Sequence, residues 1–178
     1  KPSNYRSNNN LEEWLKLNKL VGITGIDTRY LTLHLRKYGF QNGIISFNRK
    51  KEFNIKYLRK KLALHPNMIG LELAKKVGCT EAYDWSETKW NYQEGYKNIE
   101  NNKYRVVAID YGAKNNILRC LASLGCKIKV VPPDEKLESI LSFKPDGIFL
   151  SNGPGDPLAT AEYAVPIIQQ LINKNLPI

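Results

Sequence analysis

Apolar residues follow two different rhythms along this chain. From Tyr104 onward, short apolar runs alternate with stretches of helical period. Val106–Asp110 is followed by Ile117, Leu118, Leu121 and Leu124, Lys127–Val131 by Leu137, Ile140 and Leu141, and Gly147–Ser151 by Ala161, Ala164, Val165, Ile168, Leu171 and Ile172. The compact runs predict buried strands, and the three-and-four spacing predicts helices. Gly125, Pro132-Pro133 and Pro145-Asp146-Gly147 mark the turns, and Asp134 is placed to cap the second helix. Strand–helix occurs three times, and Leu176-Pro177-Ile178 opens a fourth strand. Such alternation predicts a parallel sheet with right-handed crossovers.

The first half has no such regularity. Leu11, Trp14 and Leu15 predict a short amphipathic helix that ends near Lys19, and Leu20–Ile23 a brief strand. Asp27 opens a helix carrying Tyr30, Leu31, Leu35 and Tyr38, with its carboxylate as N-cap and Gly39 as the stop. Asn42-Gly43 turns into a strand at Ile44–Phe47, Lys50–Leu64 reads as a basic helix, and Ile69–Val77 as another short one. The expectation is therefore α/β overall. Part of a smaller α+β domain spans residues 1–83, a linker or irregular hairpin 84–103, and the parallel-sheet domain 104–178. The aromatic residues of the linker, Trp85, Trp90, Tyr92 and Tyr96, are expected to pack between the domains.

A length of 178 residues, 42% of them hydrophobic, suits one sizeable domain or two small ones with a real core. The start at Lys1 and the stop within an opening strand are read as a piece cut from a longer protein. The net charge of +10 invites a nucleic-acid reading. However, the lysines are scattered, the densest clusters (Arg49-Lys50-Lys51 and Arg59-Lys60-Lys61) have no interleaved stacking platform, and no nucleic-acid motif is present. Cys79, Cys120 and Cys126 are odd in number and lack Cys-x-x-Cys spacing, so neither a disulfide framework nor a zinc site is indicated. His34 and His65 lack metal-ligand spacing. No signal peptide or membrane-length apolar run is visible, and no membrane partner is expected. The cysteine usage suits reduced thiols in an intracellular compartment, so a cytoplasmic chain is expected, with an organellar stroma or matrix as the alternative.

Chemistry concentrates at Phe149–Pro157, where an apolar strand breaks into Asn-Gly-Pro-Gly-Asp-Pro ahead of a helix. Open α/β sheets bind ligands at such places, although a tight strand-to-helix turn without chemistry would look the same. The dinucleotide fingerprint Gly-x-Gly-x-x-Gly is absent after the first strand, which turns through Asp110-Tyr111-Gly112-Ala113-Lys114. The phosphate loop ending in Gly-Lys-Ser/Thr is absent too. A loop with Pro154 between two glycines suits presenting one or two amides to a single developing negative charge.

Gly147-Ile-Phe-Leu-Ser-Asn-Gly-Pro-Gly-Asp-Pro resembles the oxyanion loop of class I (triad) glutamine amidotransferases. Val107-Ala-Ile-Asp-Tyr-Gly-Ala-Lys-Asn-Asn-Ile-Leu-Arg is similar to the corresponding part of the glutamine-hydrolysing small subunits of carbamoyl-phosphate synthases. Ser3-Asn4-Tyr5-Arg6, Gly22-Ile-Thr-Gly-Ile-Asp-Thr-Arg29 and Gln41-Asn42-Gly43 resemble the N-terminal domain of those subunits. The resemblance implies a truncated class I glutaminase domain. It also implies L-glutamine as substrate, a large-subunit partner that holds ATP and Mg2+, and a place in pyrimidine and arginine synthesis. Gly153 and Gly155 would line the glutamine pocket, with the Gly153 N–H stabilising the tetrahedral oxyanion. The nucleophilic cysteine and its His and Glu partners are expected beyond Ile178, so the piece alone is expected to be inactive and to need no cofactor or metal of its own. A non-catalytic docking subunit and another triad amidotransferase are the alternatives.

Overall fold

A computed structural model describes residues 4–178. Ser3, the first residue of the Ser3–Arg6 resemblance, lies outside the described residues. The chain divides into two compact units, residues 1–67 and 68–178.

Among its described residues, the first unit contains three helices, α1 (Leu11–Leu17), α2 (Thr28–Tyr38) and α3 (Ile55–Ala63). Each starts at a side-chain cap: Asn10 accepts from the Glu13 N–H in a capping box, Asp27 from the Tyr30 N–H and Asn54 from the Tyr57 N–H. These bonds satisfy donors that a first helical turn leaves open. Gly39, at φ 81°, ends α2 where expected. The brief strands expected at Leu20–Ile23 and Ile44–Phe47 are not formed; both segments are irregular. A strand exists only beside a hydrogen-bonding neighbour, and no described segment of this unit supplies one. None of residues 4–67 is buried.

The second unit contains α4 (Ala74–Val77), β1 (Tyr83–Trp85), β2 (Tyr104–Ile109), α5 (Asn115–Ser123), β3 (Cys126–Val131), α6 (Leu137–Ser142), β4 (Gly147–Leu150) and α7 (Pro157–Asn173). The sheet order is β1-β3-β2-β4. β2 runs parallel to both neighbours, with Val106 opposite Ile128 on β3 and Gly147 on β4. β1 closes the far edge antiparallel, with Trp85 opposite Ile128.

Central β2 is apolar from Val106 to Ile109, where both of its faces are covered. Val107 and Ile109 point into one cluster with Val131, Ile140 of α6, Ile148, and Ala164 and Leu171 of α7. Ala108 points the other way, toward Leu118 and Ala122 of α5, Cys126, Ile128 and Val130. Fully burying an aliphatic side chain contributes roughly 1.5–3 kcal/mol, so these two clusters hold the unit together.

Three local expectations change. Of the linker or irregular hairpin expected at residues 84–103, the structure forms the hairpin, led in by edge strand β1, and it packs within the second unit where packing between domains was expected. Its bridges join Glu87 to Asn98 and Asn91 to Gly95. The Arg119 guanidinium of α5 lies over the rings of Trp85 and Tyr96 and pairs with Glu87 at 2.6 Å, so those aromatics pack on α5. Asp134 does not cap α6; its carboxylate pairs with Lys75 at 3.0 Å. The helix expected at Ile69–Val77 is helical only from Ala74. Its first half is a turn at Ile69-Gly70 followed by a bridge from Glu72 to Gly155 in the loop after β4.

Candidate functional site

The chain leaves β2 for α5 on one face of the sheet and leaves β4 for α7 on the other. Between the carboxyl ends of these two strands the connections diverge and open a crevice, the usual ligand position in an open α/β sheet. Two loops form its rim, Asp110–Lys114 after β2 and Ser151–Asp156 after β4. Beside them lies a cavity of about 310 Å³ whose lining includes Tyr111, Ser151, Gly153, Gly155, Thr160 and Ala164. This volume is at the small end of the range for small-molecule sites.

Asp110 organises the first loop. It is 7% exposed, and burying its carboxylate requires partners. Oδ1 accepts from the Gly112 and Ala113 N–H groups at 2.9 and 2.7 Å, and Oδ2 accepts from the Cys79 N–H at 2.9 Å. The Tyr111 N–H donates to Ser151 Oγ at 2.8 Å and the Asn152 side-chain amide to the Gly112 carbonyl at 3.1 Å, joining the two loops directly.

The second loop needs its glycines. A β-carbon on Gly153 would collide with the Tyr111 carbonyl oxygen, so the backbones pass at a separation only glycine permits. Gly155 has φ +94°, and a β-carbon there would lie 2.6 Å from the Leu71 carbonyl. Neither the Gly153 nor the Gly155 N–H has an acceptor among the described residues. The structure thus brings both sequence-predicted residues to the cavity wall.

Asp156 ends the loop. Its Oδ1 caps α7 by accepting from the Leu158 N–H, and its Oδ2 accepts from the Gly70 N–H at 2.7 Å. The Gly70 and Leu158 amides hold its carboxyl below the usual carboxylate range. The Asp156-Pro157 pair was a visible sign of a helix start, since proline suits the first helical position. Asp110, Ser151 and the segment Gly70–Leu73 carried no comparable signal, because their roles depend on partners far along the chain.

Cys79 and Cys126 are not poised as nucleophiles. Burial, then the nearby Asp110 charge, pushes the Cys79 thiol up to about 11, and burial raises that of Cys126. A thiol is nucleophilic as thiolate, so neither is activated by its surroundings. Among the described residues, no group of three or more His, Cys, Asp or Glu is arranged to hold a metal ion, and no helix is long and apolar enough to cross a membrane.

Residues 107–178 match the family Glutamine amidotransferase class-I, which assigns the crevice unit to that class. Residues 1–45 match Carbamoyl-phosphate synthase small chain, CPSase domain. The carbamoyl phosphate synthase small chain of Bartonella quintana is 47% identical over 177 residues, 99% of this chain and 44% of that protein. Those of Bradyrhizobium diazoefficiens and Rhizobium meliloti are each 45% identical over 99% of this chain, and 44% and 45% of their own lengths. The chain belongs to the carbamoyl phosphate synthase small-chain family and spans less than half the length of these relatives.

Proposed function

We propose that this chain is part of the glutamine-hydrolysing subunit of a cytoplasmic carbamoyl-phosphate synthase. It would release ammonia from the glutamine side chain for a large subunit that binds ATP and Mg2+. The observation that carries this reading is the pair of glycines at the crevice, whose amides have no other acceptor among the described residues.

When a thiolate adds to a carboxamide, the carbonyl oxygen becomes an oxyanion. Amides already fixed at its position stabilise it without reorganising. In this reading the Gly153 N–H is such a donor, and Gly155 shapes the wall of the glutamine pocket beside it. The nucleophile would come from the segment after α7. The Ile148 N–H donates to the Pro177 carbonyl at 2.8 Å, so that segment lies against the free edge of β4. A strand continuing parallel to β4 advances about 3.3 Å per residue, and a few residues bring it level with Ser151. A cysteine in a sharp turn there would face the Gly153 loop across the crevice.

The test is glutamine-dependent ammonia release by the full-length protein with its partner subunit. Activity is expected in the unsubstituted protein, with a fall of about a hundredfold or more in kcat for Gly153→Ala. Cys79→Ser should retain full activity. Absence of glutamine hydrolysis in an intact complex would refute the proposal and favour a docking subunit without chemistry.

A further inference from the structure

We infer that residues 70–73 are a strap that holds the β4–α7 loop in its working shape, and that Asp156 is the tie, a positioning residue and not only a helix cap. The inference rests on the glutaminase reading for its effect on turnover, but the strap itself is a geometric claim.

A cap requires one carboxylate oxygen. Asp156 uses Oδ1 for that purpose, on the Leu158 N–H at 2.9 Å, and commits Oδ2 to the Gly70 N–H at 2.7 Å, 86 residues away in sequence. The backbone repeats the connection: the Asp156 N–H donates to the Leu71 carbonyl at 3.0 Å, and Gly155 pairs with Glu72 in an antiparallel bridge. A third attachment lies along α7, where the Tyr163 hydroxyl donates to Glu72 Oε1 at 2.9 Å. The same oxygen accepts from the Lys75 N–H at 3.0 Å, and the Lys75 ammonium sits 4.2 Å from the Tyr163 ring centroid.

The strap therefore grips the loop at Gly155 and Asp156 and the helix beyond it at Tyr163. Pro154 stiffens the short path from Gly155 back to Gly153. With that path stiff, the position of the strap sets the direction of the two glycine amides. Catalytic groups displaced by about 1 Å lose roughly a hundredfold in rate, so a loosened strap would act on kcat more than on substrate affinity.

Two substitutions separate the tie from the cap. Serine at position 156 is a good N-cap but has one oxygen and cannot reach both amides. Asparagine keeps one acceptor for Leu158 and leaves a donor NH2 facing the Gly70 N–H. In the full-length protein with its partner subunit, Asp156→Ser and Asp156→Asn are expected to lower kcat for glutamine hydrolysis about ten- to a hundredfold, with KM within about twofold. Tyr163→Phe should give a smaller loss in the same direction.

A second readout does not depend on turnover. Hydrogen exchange in a peptide covering residues 151–156 should be about tenfold faster in Asp156→Ser than in the unsubstituted protein. Unchanged exchange, or wild-type kcat in both Asp156 variants, would reduce Asp156 to a cap and overturn the strap. Failure of the unsubstituted complex to hydrolyse glutamine would overturn the function instead, with the exchange result still deciding the strap.

Discussion

The two compact units differ most in where their apolar side chains and their charge lie. The second unit buries Val107, Ile109, Leu118, Ile128, Val130, Ile140 and Leu171 almost completely. The first leaves Leu17, Phe40, Phe47 and Leu64 each more than 70% exposed. Residues 1–67 hold 14 Lys and Arg against four Asp and Glu, a net charge of +10, whereas residues 68–178 hold 13 of each. The whole charge of the chain thus sits on the unit without a core. Amphipathic spacing makes a helix two-faced, but it does not supply what the apolar face packs against. In the second unit the sheet does so. In the first, the helices rest on local devices, chiefly their caps. Isolated helices as short as α1 and α3 are marginal in water.

The largest expected contrast comes from truncating one side chain in each unit. Leu118→Ala in the full-length protein should lower unfolding stability by about 2–5 kcal/mol in urea titrations. Phe47→Ala, 73% exposed in the structure, should cost less than about 0.5 kcal/mol. A Phe47→Ala loss comparable to that of Leu118→Ala would mean that another part of the full protein covers this face. Next in size, Asp27→Ala removes the cap of α2 and should cost about 1 kcal/mol of local helix stability. It should be read as faster amide exchange over residues 28–38, with the second unit unaffected. Coupled exchange in both units would break the distinction between capped and cored helices.

The smallest effect concerns pH and belongs to the second unit. The Arg105 amide and guanidinium hold the Asp146 carboxyl below its ordinary value. Between that lowered value and the usual one near 4, the unfolded chain binds more protons than the folded one. This contribution is therefore present above about pH 4 and is lost as pH falls through the folded-state value. Asp146→Asn should flatten the acid limb of a stability–pH profile slightly, and an unchanged limb would remove the claim.

Features decided within a few residues were legible in the sequence. Asp27 and Gly39 bound α2 as read, and the three strand–helix repeats appear with ends shifted by one or two residues. The loop holding Gly153 and Gly155 could be placed after a strand and before a helix because a broken strand leaves a visible signature. What was missed depends on distant partners. Leu20–Ile23 and Ile44–Phe47 have the composition of strands but no neighbour to pair with. Residues 70–73 have helical spacing, but the loop after β4 claims their backbone. Asp134 stands where a cap would, yet Lys75 takes its carboxylate. Residues 84–103 look structureless until β3 and Arg119 hold them. Asp110 reads as the last residue of a strand, and only the fold shows that it joins Cys79 to the loop before α5.

The strap also bears on the order in which the protein assembles. Its bond from Gly70 to Asp156 closes 86 residues of chain, and closing so long a loop is entropically costly until the sheet has brought the ends together. The β2–α5–β3 repeat closes much shorter loops and can form first. The pocket wall would then be completed after the bulk of the secondary structure is in place. In a refolding experiment, protection of the Gly70 and Asp156 amides, which donate to the Asp156 carboxylate and the Leu71 carbonyl, should lag behind the recovery of far-ultraviolet circular dichroism, so that the molecule regains its architecture before it regains its site.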